Sequence, residues 1–179
     1  VAGVPVLAGA RLILDCCDDL QPDSALAVAD AALARRLVTP IGLKEALRRR
    51  RTRSRAADRI AELVVDRADP LAANWFESSS RWWLLEAGLP RPRLQVPFRD
   101  KRGRTATVDM LIGRVVGEAD GAGKYDEPGA LFAEKLREDW LRDVHRVEVV
   151  RWVPAEMRSR SGRADVVARD SVHRRGFAA

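Results

Sequence analysis

Three acids, Asp109, Glu118 and Asp120, fall within the short run TATVDMLIGRVVGEAD, and a fourth, Glu77, lies upstream in WFESSSRWW. Carboxylates brought to one point supply hard oxygen ligands for Mg²⁺, an ion that keeps several of its waters and activates one of them. The spacing favours such a meeting. Residues 105–112 and 114–120 are β-branched and alternating, with Gly113-Arg114 between them as a tight-turn dipeptide. A turn there fixes the pairing: Ile112 opposes Val115, Leu111 opposes Val116, and Asp109 opposes Glu118, with Asp120 two residues further on the same face. Opposed carboxylates repel each other, and a proton or a divalent cation between them relieves that repulsion. On this reading Asp109 and Glu118 hold Mg²⁺. A plainer reading is a solvent-facing side of a sheet, where acids keep an edge soluble.

Two lysines are near enough in sequence to serve such a centre. Gly121 to Gly123 leaves the chain free to fold Lys124 back over the acids, and Lys135 sits in a helical segment with Asp139 and Arg142 to one side. Either could stabilise charge on a pentavalent phosphorus. Tyr125 is a stacking or hydrogen-bonding candidate, with loop anchoring as the alternative. Neither His145 nor His173 is placed by pattern to act as a base. Glu77 and Arg81 lie one helical turn apart and share a face, which in isolation amounts to a surface ion pair worth a few tenths of a kcal/mol. Around them Trp75, Phe76, Trp82 and Trp83 read as packing residues. Because Trp82 and Trp83 are adjacent on a helix, one of them must lie at an edge.

The elements that would position these groups follow an ordered run after Asp69-Pro70. A helix over residues 74–87 is closed by Gly88-Leu89-Pro90. A strand over 94–98, a polar turn over 99–103 and the hairpin follow. A break at 126–128 precedes a helix over 129–144, and a last strand over 147–152 stops before Pro154. The order is α-β-β-β-α-β. Upstream the chain reads as helical: a short segment over 12–20, a helix over 25–37 capped by Asp23 or Ser24, and a helix from about 43 to 65 opened by Thr39 or Pro40. The resulting organisation is a helical region over 1–68, an α/β core over 69–156 and a flexible or frayed tail over 157–179.

The run RRRRTRSR, residues 48–55, is the strongest charge cluster. As a helix face it would attract a phosphate backbone without reading sequence, and Arg48, Arg49, Arg50 and Arg51, with Arg81, are the DNA-contact candidates. A solvated face or a basic linker is the plainer account. The net charge of +6 and a pI near 10.1 make a polyanion partner plausible, although the abundance of Arg and Ala also fits a high-GC genome. The adjacent Cys16-Cys17 pair does not suit a structural disulfide or zinc. Buried reduced thiols, a reducing compartment and a cytoplasmic location are therefore expected. No apolar run approaches a membrane span, and the first residues lack the pattern of a signal peptide. The chain opens on Val1 without an initiator Met, and the expectation is of a longer protein with an N-terminal part before it.

Together these elements and residues resemble the PD-(D/E)xK nuclease core, in the branch related to very-short-patch repair endonucleases. ESSSRWWLLEAGLPRPRLQV resembles that branch's first helix and strand. VDMLIGRVVGEADGAGKY is similar to its active-site hairpin, and AEKLREDWLRDVHRVEVVRW to its second helix and last strand. The upstream ALAVADAALARRLVTPIGLKEAL resembles the middle region of actinobacterial AbiEi-type antitoxin or transcriptional-regulator proteins, in which a winged helix precedes a nuclease-like domain. The resemblance implies a restriction-endonuclease-like mixed sheet flanked by helices and preceded by a helical segment. It also implies acids Glu77, Asp109 and Glu118 around Mg²⁺, a DNA partner and a cognate toxin. Asp120 stands where the broader fold has the lysine of its motif. Three functions therefore enter the structural description: a Mg²⁺-dependent DNA endonuclease, a catalytically silent nuclease-like domain of a DNA-binding antitoxin or regulator, and a structural piece of a larger protein.

Overall fold

A computed structural model describes residues 9–50, 54–120 and 130–166. Lys124, Tyr125, Arg51, His173 and the break at 126–128 lie outside the described residues. The chain divides into two compact units, Val1–Trp82 and Trp83–Ala179. The division falls inside the helix that follows Asp69-Pro70.

The first unit is helical. Helix α1 (Ala10–Asp19) packs against α2 (Pro22–Ala34), α3 (Pro40–Arg49) and α4 (Arg55–Arg67). Pro22 occupies the first turn of α2, so that helix begins ahead of the expected Asp23 or Ser24 cap. Thr39 caps α3, its hydroxyl accepting from the Gly42 amide at 3.0 Å. The single helix expected over 43–65 is instead two. Arg50 leaves the helical region with ψ 127, and Ser54 restarts the chain by capping α4 through the Ala57 amide at 3.1 Å. The physical reason is an attachment elsewhere: the Arg50 guanidinium donates to the Leu14 carbonyl at 2.8 Å and pairs with Asp18 on α1. The basic run is therefore interrupted, with Arg48 and Arg49 exposed and Arg50 largely covered.

Cys17 is buried in α1, where its thiol donates to the Ile13 carbonyl, while Cys16 is only half-buried. Burial pushes the Cys17 thiol up to about 11. At about pH 8 this leaves on the order of one thiolate in a thousand. A maleimide-type reagent is therefore expected to modify Cys16 first, with Cys17 reacting only as fast as the unit unfolds; equal native-state rates, read by mass spectrometry, would contradict that packing.

Helix α5 (Trp75–Glu86) crosses the division. In the first unit the Arg67 guanidinium lies over the buried Trp82 ring, 4.4 Å from its centroid. In the second, Arg163 lies over the half-buried Trp83, at 3.9 Å. Each tryptophan of the adjacent pair is thus used on its own side.

The second unit is α/β. A four-stranded mixed sheet runs in the order β1-β2-β3-β4, with β1 (Arg93–Arg99), β2 (Thr105–Ile112) and β3 (Val115–Ala119) antiparallel and β4 (Glu148–Trp152) parallel to β3. A parallel partner needs a crossover, and α6 (Ala130–His145) lies within it. Val96, Val108, Val116 and Val149 on one face of the sheet form a core with Trp140 and Leu141 of α6. Among the described residues the chain is still helical after Met157. Helix α7 (Pro154–Arg158) and a helical stretch over 160–166 follow, with Met157 and Val166 buried.

Gly117 of β3 admits the Trp152 ring: a Cβ added there would stand 2.6 Å from Trp152 Cη2. Trp152 is only 2 % exposed and has no room to swing aside. Gly117→Ala is expected to lower unfolding stability by about 1–3 kcal/mol through overpacking. A denaturation midpoint equal to wild type would show that the ring is free to move.

Candidate functional site

The hairpin turns where expected, at Gly113 with φ 60, and pairs Ile112 with Val115 and Leu111 with Val116. The β2–β3 ladder then ends at Met110↔Gly117, one pair short of Asp109 and Glu118. Strand β3 continues alongside β4 instead, pairing Glu118 with Arg151 and Ala119 with Trp152. Asp109 fills the gap. Its Oδ2 accepts the Ala119 amide at 3.0 Å, replacing a ladder bond by a side-chain bond. Across β2 the sheet is also irregular: the β1–β2 pairs skip from Leu94↔Met110 to Val96↔Val108, and Gln95 between them has φ 48. The opposition of Asp109 and Glu118 is thus corrected. One acid organises backbone, and the other is held by side chains.

Glu118 is buried, 4 % exposed, and guanidinium groups reach both of its carboxylate oxygens. Arg137 of α6 donates from Nη1 to Oε1 at 2.6 Å and from Nη2 to the Thr107 carbonyl at 2.8 Å. Arg151 of β4 approaches Oε2 at 3.1 Å. Glu134 and Glu138 flank them: Glu134 accepts from Arg137 at 2.9 Å and pairs with Arg151, and Glu138 lies 3.3 Å from Arg151. Burial pushes the Glu118 carboxyl above the ordinary glutamate range, and Arg137 and then Arg151 pull it back. Both arginines are in turn shifted upward despite partial burial, chiefly by the charge of Glu118. Asp120 adds its field to Arg151, and its amide donates to the Trp152 carbonyl at 3.0 Å.

The other candidates stand elsewhere. Lys135 is exposed, while Glu134, Arg137 and Glu138 form the α6 side that reaches Glu118. In the first unit Glu77 completes a cap for α5: Asn74 Oδ1 accepts the Phe76 and Glu77 amides, and Glu77 accepts from the Ala73 amide at 2.9 Å and from Asn74 Nδ2 at 2.7 Å. Arg81 pairs with Asp30 of α2, at 2.6 Å, with both side chains 1 % exposed. A surface Glu77–Arg81 pair is therefore replaced by two separate structural roles, and Arg81 is too deeply buried to reach DNA.

Arg137, Arg151, Glu134 and Glu138 were absent from the sequence candidates. The signal for three of them was the Glu134, Arg137, Glu138 spacing on one helix side. Arg151 becomes visible only once β3 and β4 are placed side by side. Among the described residues no group of three or more His, Cys, Asp or Glu is arranged to hold a metal ion. The residues at Glu118 do not fit a Mg²⁺ site, because guanidinium groups occupy both oxygens that a metal would need. Among the described residues no helix is long and apolar enough to cross a membrane. No family model, no curated protein and no solved structure matches this chain.

Proposed function

We propose that this chain binds DNA, and that its α/β unit is a restriction-endonuclease-like core whose acidic centre has become an arginine-clamped structural element without phosphodiesterase activity. The clamp on Glu118 is the observation that carries this reading. Mg²⁺-dependent hydrolysis would require Arg137 and Arg151 to withdraw, leaving a buried carboxylate bare before any ion arrived. The strand order, the antiparallel hairpin and the helical crossover into a parallel fourth strand support the nuclease-like core. The positive net charge and the exposed Arg48 and Arg49 at the end of α3 support a phosphate-backbone partner. The antitoxin or regulator role, and a toxin partner, rest on the sequence resemblance and form the finer part of the proposal.

Fluorescence anisotropy of a labelled duplex tests the binding claim. Two phosphate contacts, from Arg48 and Arg49, would by themselves weaken affinity by about twelvefold between 50 and 200 mM salt. Absence of binding at the lower salt concentration would remove DNA as the partner.

A further inference from the structure

The turn between β1 and β2 is built differently from an ordinary solvated loop. Arg99 is exposed at the end of β1, and Lys101, Arg102 and Arg104 are exposed within the turn, whose one acid, the half-buried Asp100, is engaged by internal bonds. Asp100 Oδ1 accepts the Arg102 amide at 2.8 Å and the Arg104 amide at 3.0 Å, and Oδ2 accepts Trp140 Nε1 at 2.9 Å. Desolvation opposes ionisation of this carboxyl, but the bonds from Trp140, Arg104 and Arg102 prevail and hold it below the ordinary aspartate range. The backbone is closed as well: the Asp100 amide donates to the Arg104 carbonyl and the Gly103 amide to the Asp100 carbonyl, both at 3.1 Å, with Gly103 at φ 84. Arg104 anchors the turn on α6, its guanidinium 4.9 Å from the Trp140 ring centroid and 3.1 Å from the Leu136 carbonyl.

Beside the turn lies an open cleft of about 740 Å³, bordered by Arg99, Lys101, Arg102 and Arg104, with Trp140 and His145 also on its wall. Four basic side chains against one carboxylate give the turn a net positive charge toward solvent, carried on an internally bonded backbone. Trp140 is 7 % exposed and lies under Arg104, which leaves no open ring on which a base could stack. Such a surface suits phosphates rather than base edges, and its rigidity lowers the ordering cost of binding.

We infer that the β1–β2 turn is a sequence-independent contact for the phosphate backbone of duplex DNA, with Lys101 and Arg102 as its principal charges and Arg104 as its anchor. This contact rests on the DNA-binding reading and adds to it a site in the α/β unit, separate in sequence from Arg48 and Arg49.

The test is the salt dependence of duplex affinity for wild type, Lys101→Gln/Arg102→Gln and Arg48→Gln/Arg49→Gln. Loss of two phosphate contacts is expected to reduce the slope of log affinity against log salt by about 1.8 and to weaken binding at 0.1 M salt by tens of fold, on the order of sixtyfold. The loss should be the same for unrelated duplex sequences, with an unchanged thermal midpoint. Wild-type binding together with an unchanged slope for Lys101→Gln/Arg102→Gln overturns this inference and leaves the DNA-binding reading standing. A loss confined to one duplex sequence overturns it too, since that is base readout. No binding by wild type at low salt overturns the functional reading and the inference with it.

Discussion

Arg81→Ala is expected to destabilise the helical unit by about 3–5 kcal/mol at neutral pH, a large share of the roughly 5–15 kcal/mol that holds a domain folded. The substitution strands Asp30, which is 1 % exposed and whose Oδ2 loses its partner at 2.6 Å. It also removes the donor to the Arg67 carbonyl. Burial already pushes the Asp30 carboxyl up, with Arg81 the strongest opposing influence. Without Arg81 the group ionises only at a cost, so the defect deepens as pH rises. Adding Asp30→Asn should recover most of the loss, because an amide oxygen can still accept the Asp69 amide that Asp30 Oδ1 takes at 2.8 Å. Urea denaturation of the two variants checks this. A loss under 1 kcal/mol for Arg81→Ala would mean that water reaches Asp30.

That pair also shows what a sequence can and cannot disclose. Glu77 and Arg81 stood four residues apart and looked like partners, yet Arg81 reaches back to Asp30 across a different helix. Local spacing nominates neighbours; burial selects among distant ones. Thr39 and the Gly113 turn were legible because capping and turn chemistry are local. The hairpin register was legible as far as Met110↔Gly117, and failed at Asp109 because the parallel strand β4 redirects β3. Arg50 broke an otherwise continuous helical pattern for a contact on α1 that no periodicity announces. The hairpin acids were expected to hold a proton or a divalent cation between them, whereas Glu118 meets counter-charge from two guanidinium groups. Its source, Arg137 and Arg151, lay on elements whose placement depends on the finished sheet.

The second large effect concerns that counter-charge. Arg137→Ala/Arg151→Ala removes both guanidinium groups from Glu118 and leaves it beside Glu134, which already raises its carboxyl. The expected loss is about 3–5 kcal/mol near neutral pH. Its pH dependence has a definite sign. A carboxyl whose folded value lies above its unfolded value binds more protons in the folded state, so stability falls as pH rises. Glu118 is already shifted upward from the ordinary 4.5, and loss of the arginines shifts it further. The variant should therefore approach wild-type stability at or below that ordinary value and diverge from it as pH rises. Adding Glu118→Gln should flatten the divergence. A pH-independent defect, followed by thermal midpoints across the range, would assign the loss to packing of the arginine stems instead.

The clamp is the centre of the proposal, in which the acids of the hairpin are structural and DNA would be bound without being cut. Incubation of supercoiled plasmid with the wild-type chain, in Mg²⁺ and separately in Mn²⁺, tests it most directly, with Asp109→Ala and Glu118→Ala alongside. The account expects wild type to yield no more nicked or linear plasmid than either variant. Wild-type cleavage that disappears in both variants would contradict it, because those carboxylates would then be doing metal-dependent chemistry despite the arginines around Glu118.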